Sequence, residues 1–238
     1  MSSQASPPVL EPGHYTIDIK LPPEPEITGH RATIARRIVI RLYQQGAIVS
    51  ATDRLPEMPF EAMTEAQRDA VAEYKRTRNT TVFEGPFIPL LRSPELMTNV
   101  QRVGEYLRYR SALPRRLSEM AILITARQWC QQFEWCIHSA DAAAAGLATS
   151  VSDAIADGRR PTEAADDEAV LHDFCLELFR NQRVSDVTYT RAVALFDEQG
   201  VVDLVGILGY YSLLAMIMNT ARTPVRTSMT PMLERFPE

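Results

Sequence analysis

The stretch Ser118–Gly146, SEMAILITARQWCQQFEWCIHSADAAAAG, decides how the rest of the chain is read. Leu117, Met120, Ala121 and Ile124 recur at helical spacing, which predicts a helix from Pro114 to about Trp129. A second helix runs from about Gln132 to Ala145, where Gly146 supplies a C-terminal stop. Five chemically capable side chains sit in these two segments: Glu119, Arg127, Glu134, Trp135 and His138. Glu134 and His138 are four apart and share a helix face. Glu119 lies on the preceding helix, which a short connection folds back beside the second, and Arg127 shares its side to within about a quarter turn.

That grouping has a chemical meaning. A carboxylate beside an imidazole holds its tautomer and brings its pKa toward neutrality, where it exchanges protons. An arginine clamps a substrate carboxylate in a two-pronged fork. A tryptophan excludes water and raises the pKa of an adjacent acid. The same spacings also serve a plain surface Glu–His pair, an Arg127–Glu119 ion pair and a packing tryptophan, so both readings stay open here.

Outward from this stretch, the chain predicts helices on either side. Upstream, Thr64-Glu65-Ala66-Gln67 has capping-box form and opens a helix to about Arg78. Next comes the loop NTTVFEGPFIPLLR, with Gly85-Pro86-Phe87 as a turn. Ser93-Pro94-Glu95 starts another helix, with Leu96, Val100, Val103 and Leu107 as its buried stripe. Downstream come a short helix near Val151–Ala156, an acidic start at Asp166-Asp167-Glu168, and a helix capped by Ser185 and ended by Gly200. The last helix, Val201–Thr220, is apolar all round, which predicts burial in a core or an interface. Asp203 and the tyrosines argue against a membrane span. Asn219 on that helix needs a partner, either a substrate or a neighbouring backbone group. The body thus holds about eight helices and no convincing sheet, an all-α class.

Residues 1–55 read as an extension: a Pro/Ser-rich lead-in, an extended arm at His14–Leu21, and a helix at His30–Gln45. Residues 56–225 form the helical domain and 226–238 a tail. The charge balance, 25 Lys and Arg against 30 Asp and Glu, carries no basic run and does not support nucleic-acid binding. No stretch of about 18 apolar residues predicts a membrane segment, and the start lacks the form of a secretory signal, so a cytoplasmic location is expected. The three cysteines, Cys130, Cys136 and Cys175, have no metal-type spacing and read as free thiols.

The run from Glu119 through Arg127, Glu134-Trp135 and His138 to Gly146 resembles the central motif of the carboxymuconolactone decarboxylase family, within the alkylhydroperoxidase D-like superfamily. GPF at 85–87, the SPEL opening the next helix, LRYRSALPRRLSE and GYYSLLAMIMN extend the likeness over roughly residues 60–222. The resemblance implies an alkylhydroperoxidase D-like helical bundle, assembled as a homotrimer or homohexamer, with no cofactor and no metal. It offers two chemistries. The peroxidase branch uses a Cys-x-x-Cys pair, and its thiol positions fall on Gln131 and Glu134 here, neither of them cysteine. Cys130 and Cys136 are six apart and, if both helical, point to different sides of a helix, beyond disulfide reach. The decarboxylase branch has Glu-Trp-x-x-His, as this chain does.

The function this resemblance implies is that of a cofactor-free lyase or isomerase acting on a small organic acid. His138 is then the general acid/base, Glu119 its partner, Glu134 the group that orients it or shares its proton, and Arg127 the substrate anchor. Trp135, Phe87, Tyr210 and Asn219 complete the expected binding wall. Two alternatives are carried: a hydroperoxide reductase using Cys130 alone, and a non-catalytic oligomeric binding protein whose Glu119, Glu134 and His138 satisfy one another in a closed interior.

Overall fold

The structure, a computed structural model, describes residues 53–225 and Leu233. The arm at 14–21, the helix at 30–45 and nearly all of the 1–55 extension and 226–238 tail lie outside the described residues. Thr64 opens the helical body as its sequence predicts. Its hydroxyl accepts from the Gln67 amide and the Gln67 side chain accepts from the Thr64 amide, closing a reciprocal cap on α1, Glu65–Thr77. The segment expected as a turn at Phe87 is the single helical turn α2, Phe87–Leu90. Gly85 before it has φ 63°, and a Cβ there would sit 2.5 Å from the Phe133 ring, so backbone shape and close approach both require glycine.

Helix α3 spans Pro94–Tyr109, with proline in its first turn. Its buried face is Met97, Val100, Gly104 and Leu107, while Leu96 and Val103 are 46% and 50% exposed. The stripe is therefore rotated from the expected one at two of its four positions. The cause is Gly104, which reads as a blank in a hydrophobic pattern but marks the point where Tyr210 meets the helix backbone. A Cβ on Gly104 would lie 2.0 Å from the Tyr210 hydroxyl.

Helix α4, Arg115–Gln128, carries eleven consecutive buried residues, Leu117 to Arg127. It is surrounded by α5 (Gln132–Ala144), α6 (Thr149–Ala156), α7 (Asp166–Asn181) and α8 (Asp186–Ala221). These complete eight α-helices, and no strand occurs among the described residues. The three-residue connection from α4 to α5 is fixed by side chains. Cys130 takes a left-handed φ of 47°, the Gln131 side chain accepts from the Phe133 amide at 2.7 Å, and Trp129 Nε1 donates to Ser212 Oγ at 2.9 Å. Asn219 closes the set, accepting from Gln131 Nε2 at 2.8 Å and donating to the Trp129 carbonyl at 2.9 Å.

The boundary expected at Gly200 lies three residues earlier. Helix α8 breaks at Asp197, with φ 57° and ψ 172°, and Gly200 is helical and buried on the far side. Gly200 is small because a Cβ there would come within 2.8 Å of the Phe196 side chain. Asp197 holds backbone angles that only glycine adopts freely, which costs on the order of 1–3 kcal/mol. Asp197→Gly is expected to raise stability by about 1 kcal/mol, net of glycine's entropy, and a thermal melt should rise by a few degrees. An unchanged or lower melting temperature would show that the aspartate side chain has a compensating partner.

Past the break, α8 is long and apolar enough by composition to cross a bilayer, and 56% of its most apolar window is buried inside the protein. Asp203 on it is buried and accepts from the Tyr106 hydroxyl at 3.1 Å and the Ala112 amide at 2.7 Å. One carboxylate thus ties α8 to the end of α3 and to the turn that leads into α4.

Candidate acid/base site

Glu119 reaches from the second turn of α4 toward α5, the helix that carries Glu134 and His138 one turn apart. The short, pinned connection brings the two helices together in the register that lines these groups up. His138 Nδ1 is 2.7 Å from Glu119 Oε2, and its Nε2 is 3.6 Å from Glu134 Oε2. Glu119, Glu134 and His138 are 4%, 3% and 4% exposed. In the neutral tautomer that donates Nδ1–H to Glu119, the opposite nitrogen Nε2 carries the ring's free lone pair, and it faces the second acid.

The two carboxyl groups live in different surroundings. Glu119 Oε1 has Arg115 at 3.7 Å. Burial pushes the Glu134 carboxyl up to about 8; Arg108 opposes the rise and Glu119 adds to it. Glu134 is therefore protonated at neutral pH, an acid beside a histidine. Arg108 donates to Asp141 at 3.0 Å. Burial works against the Arg108 charge, but Tyr211, Tyr109, Glu119 and Asp141 outweigh it and hold its pKa above the ordinary value.

Beside these groups lies a cavity of about 110 Å³. His138, Glu134, Arg108, Arg78, Tyr210 and Tyr211 contribute to its wall, and Phe87 closes one side. The Tyr211 ring meets the His138 ring edge-on, centroids 5.0 Å apart, and Tyr210 packs edge-on against Tyr211 at 5.1 Å. Burial pushes both phenols up, Tyr210 to about 12 and Tyr211 well above the usual range. They are neutral hydrogen-bonding walls at working pH. Because Tyr210 packs against Gly104, Gly104→Ala is expected to drive that ring into the cavity. The variant should lose about 2 kcal/mol of stability in a denaturant titration, the cost of overpacking a filled contact.

The structure places His138, Glu134, Phe87 and Tyr210 on the cavity wall and Glu119 behind His138, bonded to its Nδ1; the other three expected residues lie away from the cavity. Arg127 lines a different cavity of about 80 Å³, shared with His172 of α7. Eight residues along a helix are about 12 Å of axis, which carries Arg127 to the other end of α4 from Glu119. Trp135 is buried in the hydrophobic core, about 100° around α5 from Glu134, and does not line the cavity. Asn219 serves the α4–α5 connection, the backbone-partner role rather than the substrate one.

Three cavity residues escape a reading by sequence pattern: Arg78, Arg108 and Tyr211. Arg108 and Tyr211 lie within LRYRS and GYYSL, segments that carry the family resemblance, but neither stands out by periodicity. Arg78 reads only as a helix end.

No cysteine lines the cavity among the described residues, and all three are free thiols. Cys130 falls in the turn between α4 and α5 rather than on a helix, and burial pushes the Cys136 and Cys175 thiols up. Ligand atoms of Glu119, His138 and Asp141 lie within 4.8 Å of one another, a spacing a metal ion could bridge. The donor set does not suit a cation, since Arg108 and Arg115 already sit 3.0 and 3.4 Å from Asp141 and Arg115 also faces Glu119. No known family model matches the chain, and a search of curated proteins gives no match.

Proposed function

We propose that this protein is a cofactor-free acid/base lyase or isomerase acting on a small carboxylated, ring- or lactone-derived metabolite. The observation that carries this reading is the alignment Glu119–His138–Glu134, with one acid bonded to Nδ1 and a second, protonated acid 3.6 Å from Nε2 at a cavity wall. One carboxyl group to orient an imidazole and a second, protonated one across the ring from it are what a proton-in, proton-out reaction requires. A closed polar core would need no cavity; here His138 and the Pro86–Phe87 turn share one.

In a decarboxylation, the bond to the leaving carboxylate breaks and its electron pair flows into the conjugated carbonyl, giving an enolate and CO2. Arg108 supplies positive charge beside the developing oxyanion, and the proton that quenches the carbon comes from Glu134 or from His138 Nε2. In an isomerisation, Nε2 removes the proton and Glu134 returns one. The all-helical build is compatible with the resemblance to the carboxymuconolactone decarboxylase family. Exposed Val202, Val205 and Met216 on α8 supply an apolar stripe for the self-association the resemblance also implies.

The test is a screen of carboxylated lactones and unsaturated ring-derived acids in D2O, followed by proton NMR. Deuterium entering at a carbon adjacent to a carbonyl, with or without CO2 release, is the expected signal. Peroxide consumption in place of any such exchange would overturn the reading in favour of thiol chemistry.

A further inference from the structure

Arg78 caps the end of α1, and its guanidinium carbon lies over two rings, 5.0 Å from the Tyr74 centroid and 4.8 Å from the Phe87 centroid. It also interacts with the Tyr210 hydroxyl. These contacts hold the guanidinium in place and leave two of its nitrogens over. Nε and Nη2 are buried and have no hydrogen-bond partner among the described residues. Those two nitrogens share one edge of the guanidinium, and their parallel N–H bonds form the side-on fork that matches the two oxygens of a carboxylate. Buried cationic donors without an acceptor are costly, and an anion on that edge removes the cost.

Arg78 itself is part of the wall of the cavity that His138 and Glu134 line. The second cation there, Arg108, already donates to Asp141. Two acids share the wall. They are Glu134, neutral at working pH, and Glu84.

We infer that Arg78 receives the substrate's carboxylate on its Nε/Nη2 edge and so selects small, flat carboxylic acids, with their reacting carbons held toward His138 and Glu134. Arg78 takes the anchoring role that the sequence assigned to Arg127. The inference rests on the acid/base reading of this cavity and adds the substrate's charge, its shape and the residue that reads them. Rings at Tyr74 and Phe87 extend an apolar surface beside the fork, which suits an unsaturated or ring-bearing acid better than a highly hydrated one.

The probe is 2-furoate, a flat ring carboxylate, with its neutral amide as control, titrated calorimetrically into the full-length protein. Wild type is expected to bind furoate at least about 10-fold more tightly than the amide, and Arg78→Leu to weaken furoate by about 30-fold or more and erase the preference. Arg78→Lys keeps the charge but not the fork and should lose about 10-fold, which reads the proposal even if the leucine variant fails to fold. Equal affinity for furoate and amide in wild type, or unchanged furoate binding in either folded variant, overturns it. His138→Gln separates this inference from the acid/base reading. Furoate binding through Arg78 together with full turnover in His138→Gln would sink the reaction and spare the anchor. Lost turnover in His138→Gln with an unchanged KM in Arg78→Leu would do the reverse.

Discussion

His138→Gln is expected to lower kcat by about three orders of magnitude while leaving helical content and melting temperature close to wild type. Glutamine has similar bulk and can still donate to Glu119, so the 2.7 Å contact that anchors the ring has a replacement. What it lacks is a ring nitrogen that can take up a proton from the reacting carbon and hand it back, a capacity worth about 10² to 10⁴ in rate. The comparison is steady-state kinetics on the substrate found in D2O, with circular dichroism as the fold check. A variant that turns over at the wild-type rate would remove His138 from the chemistry.

The second large effect belongs to Glu134. Its carboxyl is held at about 8 in the folded protein by burial, against about 4.5 for an unburied glutamate. The direction depends on which state loses the proton first. Below pH 4.5 both states are protonated and the group is neutral toward stability. Between 4.5 and 8 only the unfolded chain releases the proton, so stability falls as pH rises; above 8 the penalty levels off. Its size is on the order of 5 kcal/mol. Glu134→Gln removes the ionisable group and should make the protein several kcal/mol more stable than wild type at about pH 8.5. The two should converge near pH 4, at about the unfolded value. Denaturant titrations across that range read the effect, and parallel profiles at every pH would show that Glu134 is not held neutral. The same substitution deletes the acid, so activity should drop about 100-fold in the variant that is harder to unfold. In wild type, turnover that needs Glu134 as an acid should decline as pH passes 8.

The pair α4–α5 was legible because its signals are local. Spacing of Leu117, Met120, Ala121 and Ile124, a stop at Gly146 and a short connection are enough to put Glu119, Glu134 and His138 side by side. Arg127 and Arg78 show what local signals leave out. A helical wheel gives an angle, but Glu119 turns to His138 of α5 while Arg127, about two turns further along α4, lines a separate cavity with His172, and only the packing of α7 shows that. Arg78 is sixty residues before His138 and reaches it only because α1 packs on α3 and the Gly85 turn passes Phe133. Residues read as apolar or polar mislead where glycine is the contact, as at Gly104, and where an aspartate occupies a glycine conformation, as at Asp197. The all-α class itself needed none of this, since helical periodicity runs through nearly every described segment.

Helix α4 has no water-facing side between Leu117 and Arg127. For the chain's tolerance of insertions and deletions, that makes it a phase standard. Losing one residue inside it would turn everything beyond by about 100° and slide it by about 1.5 Å, so Glu119 could no longer face α5 while Arg127 faced α7. Surface loops such as the one at 182–184, between α7 and α8, can lengthen or shorten without touching either cavity wall. Insertions and deletions are therefore expected to be tolerated at the periphery and not in the stretch that opens at Ser118.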